Sequence, residues 1–338
     1  MEPQVQESVQ TRRAAALWYE ARGKCAVKPI ELAPPGPGEA QVRTLWSAVS
    51  RGTERLVFSG RIPLSERQRM RAPMQEGEFS FPVKYGYCAA GIVEDGPPEW
   101  QGRRVFVMHP HQDRFNAPLT ALTLIPDRIP VRRAALAANM ETALNAVWDS
   151  GAGPGDKIVI VGAGLIGLLT ASIAARLPGA DVSVADISEE RRGICDAIGA
   201  RFVKVPAGAV LEAVGADIVF HTSGTQAGLS AAMEIAGFES CVVELSWYGD
   251  QPVSVSLGAA FHSQRLRIVS SQVASVSAGR RPRWTHARRL SKALSLLDDP
   301  RLDALITGEV AFGDIAAEMP SLLAPDAPGI CTLIRYGE

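Results

Sequence analysis

The chain has 338 residues, 46% of them hydrophobic and 21% charged, with a formal net charge of -1. That length and composition fit about two globular domains with sizeable cores. The balanced charge argues against non-specific nucleic-acid binding, which needs a positive field, and no stretch approaches the apolar length of a membrane span.

In chain order, Met1 to Arg13 is polar, lacks the apolar core of a signal peptide and reads as a frayed leader. Residues 14 to about 125 are β-rich, with strands expected at Ala15–Tyr19, Ala40–Trp46 and Arg104–Met108. Pro34-Pro35-Gly36-Pro37-Gly38 and Gly96-Pro97-Pro98 are loops. Arg61 to Lys84, with Arg67, Arg69 and Arg71, reads as a long polar excursion of the kind that often carries function. From Pro130 the pattern changes. Val131 to Asp149 is alanine-rich and helical, and Gly151-Ala152-Gly153-Pro154-Gly155 closes it.

The next stretch organises the chain. Lys157 to Val161 reads as a buried parallel strand, and an apolar helix is expected from Leu165 to Leu177. Between them Gly162, Gly164 and Gly167 spell G-x-G-x-x-G. Gly162 permits the tight turn, Gly164 lets backbone approach a pyrophosphate, and Gly167 lets helix pack on strand. The helix start at Leu165 and Ile166 offers free N–H groups to phosphates. A second strand, Val182 to Ala185, ends at Asp186, 19 residues past Gly167. An acid there is expected to hold the adenosine ribose hydroxyls and to repel a 2′-phosphate, so NAD is favoured over NADP.

Ser188 is expected to cap the following helix, with Glu189 and Glu190 in its first turn and Gly199 at its end. Further strands are expected at Arg201–Val205, Asp217–Thr222, Cys241–Ser246 and Leu266–Ser271. This alternation of strands and helices predicts a doubly wound parallel sheet. Thr222, Ser223, Ser246 and Ser271 end apolar strands and are candidates to contact the ribose and the nicotinamide amide, and Thr142 and Asn145 are candidates to face the nicotinamide. The basic run Arg280-Arg281-Pro282-Arg283-Trp284 with Arg288-Arg289 reads as a solvated face, or as a contact for an anionic substrate or a dimer partner. His286 to Leu297 is an amphipathic helix stopped by Asp298-Asp299-Pro300, and the tail from Leu305 to Tyr336 is expected to rejoin the first domain. The five cysteines, Cys25, Cys88, Cys195, Cys241 and Cys331, form no C-x-x-C pair, which points to a reducing cytoplasm and away from a zinc knuckle or a disulfide framework.

Ser50-Arg51-Gly52-Thr53-Glu54, Gly86-Tyr87-Cys88-Ala89-Ala90-Gly91 and Gly102-Arg103-Arg104-Val105 look like C-G-T-D, G-H-E-x-x-G and G-D-x-V signatures. With the glycine motif, they make the chain resemble the medium-chain dehydrogenase/reductase superfamily over nearly its whole length. Gly52-Thr53-Glu54-Arg55-Leu56 resembles the branch that contains bacteriochlorophyllide hydroxyethyl dehydrogenases. The resemblance implies an α/β fold: a β-rich GroES-like catalytic domain over 1–125 and 303–338, a Rossmann cofactor domain over 126–302, and a homodimer.

The departures from that family matter more. Arg51 stands where a cysteine ligand would be and Tyr87 where a histidine would be, while the third ligand position falls near Ala138. Arginine stays protonated and cannot ligate, and catalytic zinc needs three protein ligands. The four-cysteine lobe of structural zinc is absent too, so the expectation is NAD and no zinc. The electrophile must then come from the protein. Arg51 is the first candidate, as an oxyanion stabiliser, against a structural ion pair with Glu54 or Glu141. Thr53 resembles the hydroxyl that passes the proton, Tyr87 is a hydrogen-bond donor in the same pocket, and His109 is a general acid/base. His111 is expected to be structural and Cys88 a buried small hydrophobe. The expected activity is hydride transfer between NAD and an alcohol or carbonyl. An NADPH-dependent quinone or enoyl reductase and a non-catalytic nucleotide-binding protein are the alternatives.

Overall fold

The structure is a computed structural model that describes residues 11–206 and 214–337. Most of the expected leader therefore lies outside the described residues. Among the described residues, three sheets carry the architecture.

The first half of the chain builds two of them. Arg12–Ala21 pairs antiparallel with Lys24–Leu32 and, more briefly, with Val83–Lys84, which itself pairs with Glu76–Gly77. The seven-stranded sheet runs Ile306–Ala311, Cys331–Arg335, Glu39–Ala48, Ala89–Asp95, Arg104–Val107, Thr123–Leu124, with Arg114–Pro118 also on Glu39–Ala48. Its first two strands come from the end of the chain, so the tail closes the sheet that the N-terminal half begins. Leu333 lies opposite Ala48 in that register.

The third sheet is wholly parallel. Its order is Arg201–Lys204, Asp181–Asp186, Lys157–Val161, Ala216–His221, Ala236–Glu244, Arg267–Ser270. In chain order that is 3-2-1-4-5-6, the doubly wound arrangement with its switch point between the first and fourth strands. The strands are short apolar runs because both faces are covered. Ile158 and Ile160 point into one cluster with Leu168 and Leu169 of the helix Leu165–Ala174, and Val159 and Val161 point into another with Leu229 and Met233 of Gln226–Ile235. Each such leucine adds on the order of 1.5–3 kcal/mol by leaving water.

Several local expectations shift. The expected single helix over 131–149 is two, Val131–Ala134 and Ala137–Ser150. Ser188 makes no capping bond with its side chain; its N–H instead donates to the Asp186 carboxylate, and the turn Glu189–Arg191 precedes the helix Arg192–Ile198. Gly199 does end that helix in the left-handed conformation. Arg51–Phe58 is a helix, formed because Leu56, Val57 and Phe58 bury one side while Arg51 and Thr53 remain at the rim. The excursion after it holds only a short turn at Leu64–Glu66 and the small hairpin. Among the described residues no helix is long and apolar enough to cross a membrane.

Candidate active site

The glycine loop sits where the first parallel strand ends. Gly162 has φ +110°, and a Cβ there would lie 2.8 Å from the Ser223 nitrogen. At Gly167 a Cβ would lie 2.0 Å from the Gly162 carbonyl oxygen, so helix and strand touch backbone to backbone. Gly164 caps the helix Leu165–Ala174 and faces open space, with nothing within 4 Å of the place its Cβ would take. Leu165 and Ile166 form the first turn, half-buried beside that space. This is a cradle for a pyrophosphate: free amides at a helix start and no side chain in the way. Asp186 closes one side. Its Oδ2 accepts from the Ala163 amide at 2.6 Å and its Oδ1 from the Ser188 amide at 2.8 Å. The carboxylate is thereby fixed at the edge of the glycine loop, and these residues fit a dinucleotide.

The polar residues at the other strand ends do several jobs. Thr222 Oγ1 donates to the carbonyls of Val161 and Gly162 and so shapes the turn. Ser246 Oγ accepts from the Gly224 amide and ties two crevice loops together. Ser223 Oγ lies 2.7 Å from His221 Nε2, and His221 Nδ1 lies 2.8 Å from Glu244 Oε2. Burial would raise the Glu244 pKa, but bonds to His221 and Ser246 outweigh it and hold the carboxyl below its usual range. Sequence reasoning missed this buried His221–Glu244 strut, since only the parallel register brings the two residues together. Ser271 donates to Asp149, Thr142 donates back to the Ala138 carbonyl, and Asn145 is buried against Arg289 and Ser277. The hydrogen bonds of these three side chains all stay within the cofactor unit.

The catalytic candidates are divided in the same way. Tyr87 donates to Ser50 Oγ at 2.6 Å, and Asn139 Nδ2 donates to the same oxygen at 3.3 Å. Thr53 is half-buried on the helix that Ser50 heads. Cys88 donates to Asn139 Oδ1, which fixes the amide's orientation. Ser50, Tyr87 and Asn139 thus meet where the β-rich unit touches the helix Ala137–Ser150. Burial, then the neighbouring Cys88, raises the Tyr87 pKa; burial likewise holds Cys88 as a thiol.

Arg51 goes elsewhere. Its guanidinium donates to the carbonyls of Ala327 (2.9 Å), Pro328 (2.7 Å) and Gly329 (3.4 Å), and the residue at the head of the helix is Ser50. Neither Glu54 nor Glu141 is its partner. Glu54 is fully buried; it accepts from the Ser50 amide at 2.7 Å, from Tyr19 at 2.8 Å, and lies 3.0 Å from His111 Nε2. Burial would raise the Glu54 pKa, but His111 and these bonds keep it below the usual carboxylate range. His111 also packs under Gly86, the residue before Tyr87, so one buried pair supports both hydroxyls.

His109 departs from the expectation of a titrating acid/base. It is buried, stacked on Phe115 at 3.6 Å between ring centroids, and burial pushes its pKa down to about 3. It opens onto a different hollow, lined also by Met74, Lys84 and Gln112. His111, two residues on, has other partners: its Nδ1 lies 2.8 Å from Ser47 Oγ and its Nε2 3.0 Å from Glu54 Oε2.

Zinc fits this donor set poorly. Ser50, Tyr87 and Asn139 are neutral oxygen and amide groups, Cys88 is held as a thiol, and Ala138 has no donor. Among the described residues no three His, Cys, Asp or Glu side chains gather.

Comparison with known proteins adds the following. The family model described as zinc-binding dehydrogenase matches residues 166–292. An uncharacterised zinc-type alcohol dehydrogenase-like protein of Escherichia coli K12, YdjJ, is 28% identical over 151 residues, 42% of this chain and 41% of its own length. The chain thus matches about two fifths of that relative. A Sinorhizobium meliloti 1021 protein described as a zinc-binding dehydrogenase and bound to NADP has the same fold (TM-score 0.75, 18% identity, 96% of this chain and 99% of that one). So does an Escherichia coli CFT073 protein described as a short chain alcohol dehydrogenase and complexed with NADH (TM-score 0.74, 15% identity, 96% and 99%).

Proposed function

We propose that this chain, a member of the medium-chain dehydrogenase/reductase superfamily, is a zinc-independent, NAD-preferring oxidoreductase acting on an alcohol or carbonyl substrate. The observation that carries it is the Ser50–Tyr87–Asn139 cluster at the junction of the two units, in a chain that also holds a dinucleotide cradle. The nicotinamide ring, when bound, accepts or supplies the hydride. The chain's own residues do the rest. Ser50 Oγ already accepts two hydrogen bonds, so its own proton is free to be donated to a substrate oxygen. Tyr87 and Asn139 polarise that hydroxyl, and the Glu54 bond to the Ser50 amide fixes its place. Thr53 stands next in line to carry a proton away. A homodimer, a cytoplasmic setting and the domain boundaries at 125/126 and 302/303 belong to the same reading.

Fluorescence titration with NADH and NADPH, on metal-analysed protein, tests it first. Tight NADH binding is expected; a preference for NADPH would favour the quinone or enoyl reductase, and no binding of either would leave the glycine loop a structural remnant. Protein purified without chelator is expected to hold well under one zinc per chain, and stoichiometric zinc would overturn the metal-free reading.

The fold carries NADP in one neighbour and NADH in another, so the choice must lie in this chain's own residues. Asp186 is the residue that supports NAD. Asp186→Ala should weaken NADH by about ten- to a hundred-fold, the worth of a charge-assisted hydrogen bond, and should narrow the preference against NADPH. An unchanged NADH/NADPH ratio would remove Asp186 from cofactor choice.

A further inference from the structure

The excursion that leaves the helix Arg51–Phe58 crosses to the cofactor unit at two points. Arg61 Nε pairs with Asp250 Oδ1 at 2.9 Å, and Met70 Sδ accepts from Gln272 Nε2 at 3.9 Å. Asp250 follows the strand Ala236–Glu244 and Gln272 follows Arg267–Ser270. Residues 61–70 therefore span the carboxyl ends of the last two parallel strands, the side of such a sheet on which ligands lie.

Between those contacts sits Arg67. Arg61, Arg69 and Arg71 each have an acid: Asp250, Glu66 and Glu78. Arg67 has none among the described residues, and its Nε is buried without any hydrogen-bond partner. A buried donor without an acceptor is unfavourable, and native proteins rarely leave one except where something else supplies the acceptor.

The facing segment has the same sign. From 251 to 297 the sequence contains eight Lys and Arg residues and no Asp or Glu. Arg280, Arg281 and Arg283 are exposed on it. The segment is held firmly: the buried Arg289, paired with Glu141, donates to the carbonyls of Val273 and Ser275, and the Ser277 amide donates to Asn145. Arg265 and Arg289 pair with Glu239 and Glu141, but Arg280, Arg281 and Arg283 have no acid partner among the described residues, and the excursion that carries Arg67 touches this segment at Gln272.

We infer that the substrate carries an anionic oxygen group, a carboxylate or a phosphate, and that Arg67 receives it. The guanidinium fork matches two oxygens of either group, and the positive rim draws the anion in. This rests on the proposed dehydrogenase reading, because it names the substrate class of that site.

The test is calorimetric titration of the full chain, with and without NADH, using malonate, inorganic phosphate and neutral dimethyl malonate. Malonate or phosphate should bind saturably at millimolar concentration, and dimethyl malonate should not. Arg67→Gln should weaken the anion at least ten-fold and leave NADH affinity and melting temperature unchanged. Arg67→Lys should fall between, keeping the charge and losing the fork. The stronger of the two anions identifies the group. Equal binding of the diester, no anion binding, or an Arg67→Gln protein that binds as wild type would overturn the inference. Anion binding that needs Arg67 in a protein that binds neither NADH nor NADPH would leave the anion site standing and sink the dehydrogenase reading instead.

Discussion

Gly167→Ala should abolish measurable NADH binding and lower the melting temperature, while Gly164→Ala should weaken NADH binding with the fold untouched. The two glycines lie three residues apart in one motif, yet the structure gives them different jobs. A Cβ at Gly167 meets the Gly162 carbonyl oxygen at 2.0 Å and Thr222 Oγ1 at 2.6 Å. The first is backbone of the turn itself and has no room to yield, because Gly162 already sits at φ +110° against the Ser223 nitrogen. The helix must then move off the strand, which opens the loop and adds a packing loss of roughly 1–3 kcal/mol or more. At Gly164 nothing lies within 4 Å, and the backbone is extended, a conformation that any residue adopts. Alanine there should keep the melting temperature of the parent and weaken NADH by about ten-fold or more, since its methyl takes the space a pyrophosphate needs. Thermal unfolding followed by circular dichroism, with fluorescence titration on the same samples, separates the two. Tight NADH binding by Gly167→Ala would show that the close helix–strand contact does not shape the cradle.

How much of this was legible in the sequence depends on how far apart the interacting residues are. The glycine loop, the strand–helix alternation and Asp186 are local patterns, and they predict the parallel sheet because local spacing fixes them. The tail's return was legible in outline; its pairing of Leu333 with Ala48 was not. The centre of the candidate site was missed by one residue at two places. The sequence signatures point to Arg51 and Ala138, whereas Ser50 and Asn139 are the side chains that meet. A helix turns about 100° per residue, so a shift of one position decides which side chain enters a cleft. Glu54 with His111, and His221 with Glu244, were invisible for a similar reason. Each pair is made by segments far apart in the sequence that only the folded chain brings together. His109 looked like the functional histidine because it follows a strand end. Its stacking on Phe115 could be known only from where Arg114–Pro118 folds back.

Ser50→Ala should reduce turnover by about 100- to 1000-fold, the usual loss on removing one preorganised donor to a developing oxyanion, and leave NADH affinity within about two-fold. Turnover is read on the best substrate of a screened alcohol and carbonyl panel. Tyr87 and Asn139 both donate to Ser50 Oγ, so the serine proton has no partner within the cluster and is available to substrate. Tyr87→Phe removes one polarising donor while Ser50 stays in place, so its effect should be smaller. The double variant Ser50→Ala with Tyr87→Phe should be little worse than Ser50→Ala alone, because the tyrosine acts through the serine. Arg51→Ala is the contrasting case. Its guanidinium holds the carbonyls of residues 327–329, so the loss should appear as a lower melting temperature, with turnover within a few-fold of the parent. If the order is reversed, with Arg51→Ala inactive and Ser50→Ala near the parent, then the arginine swings away from the tail when substrate binds. The electrophile would then be the guanidinium, and the hydroxyl cluster would be its packing surface.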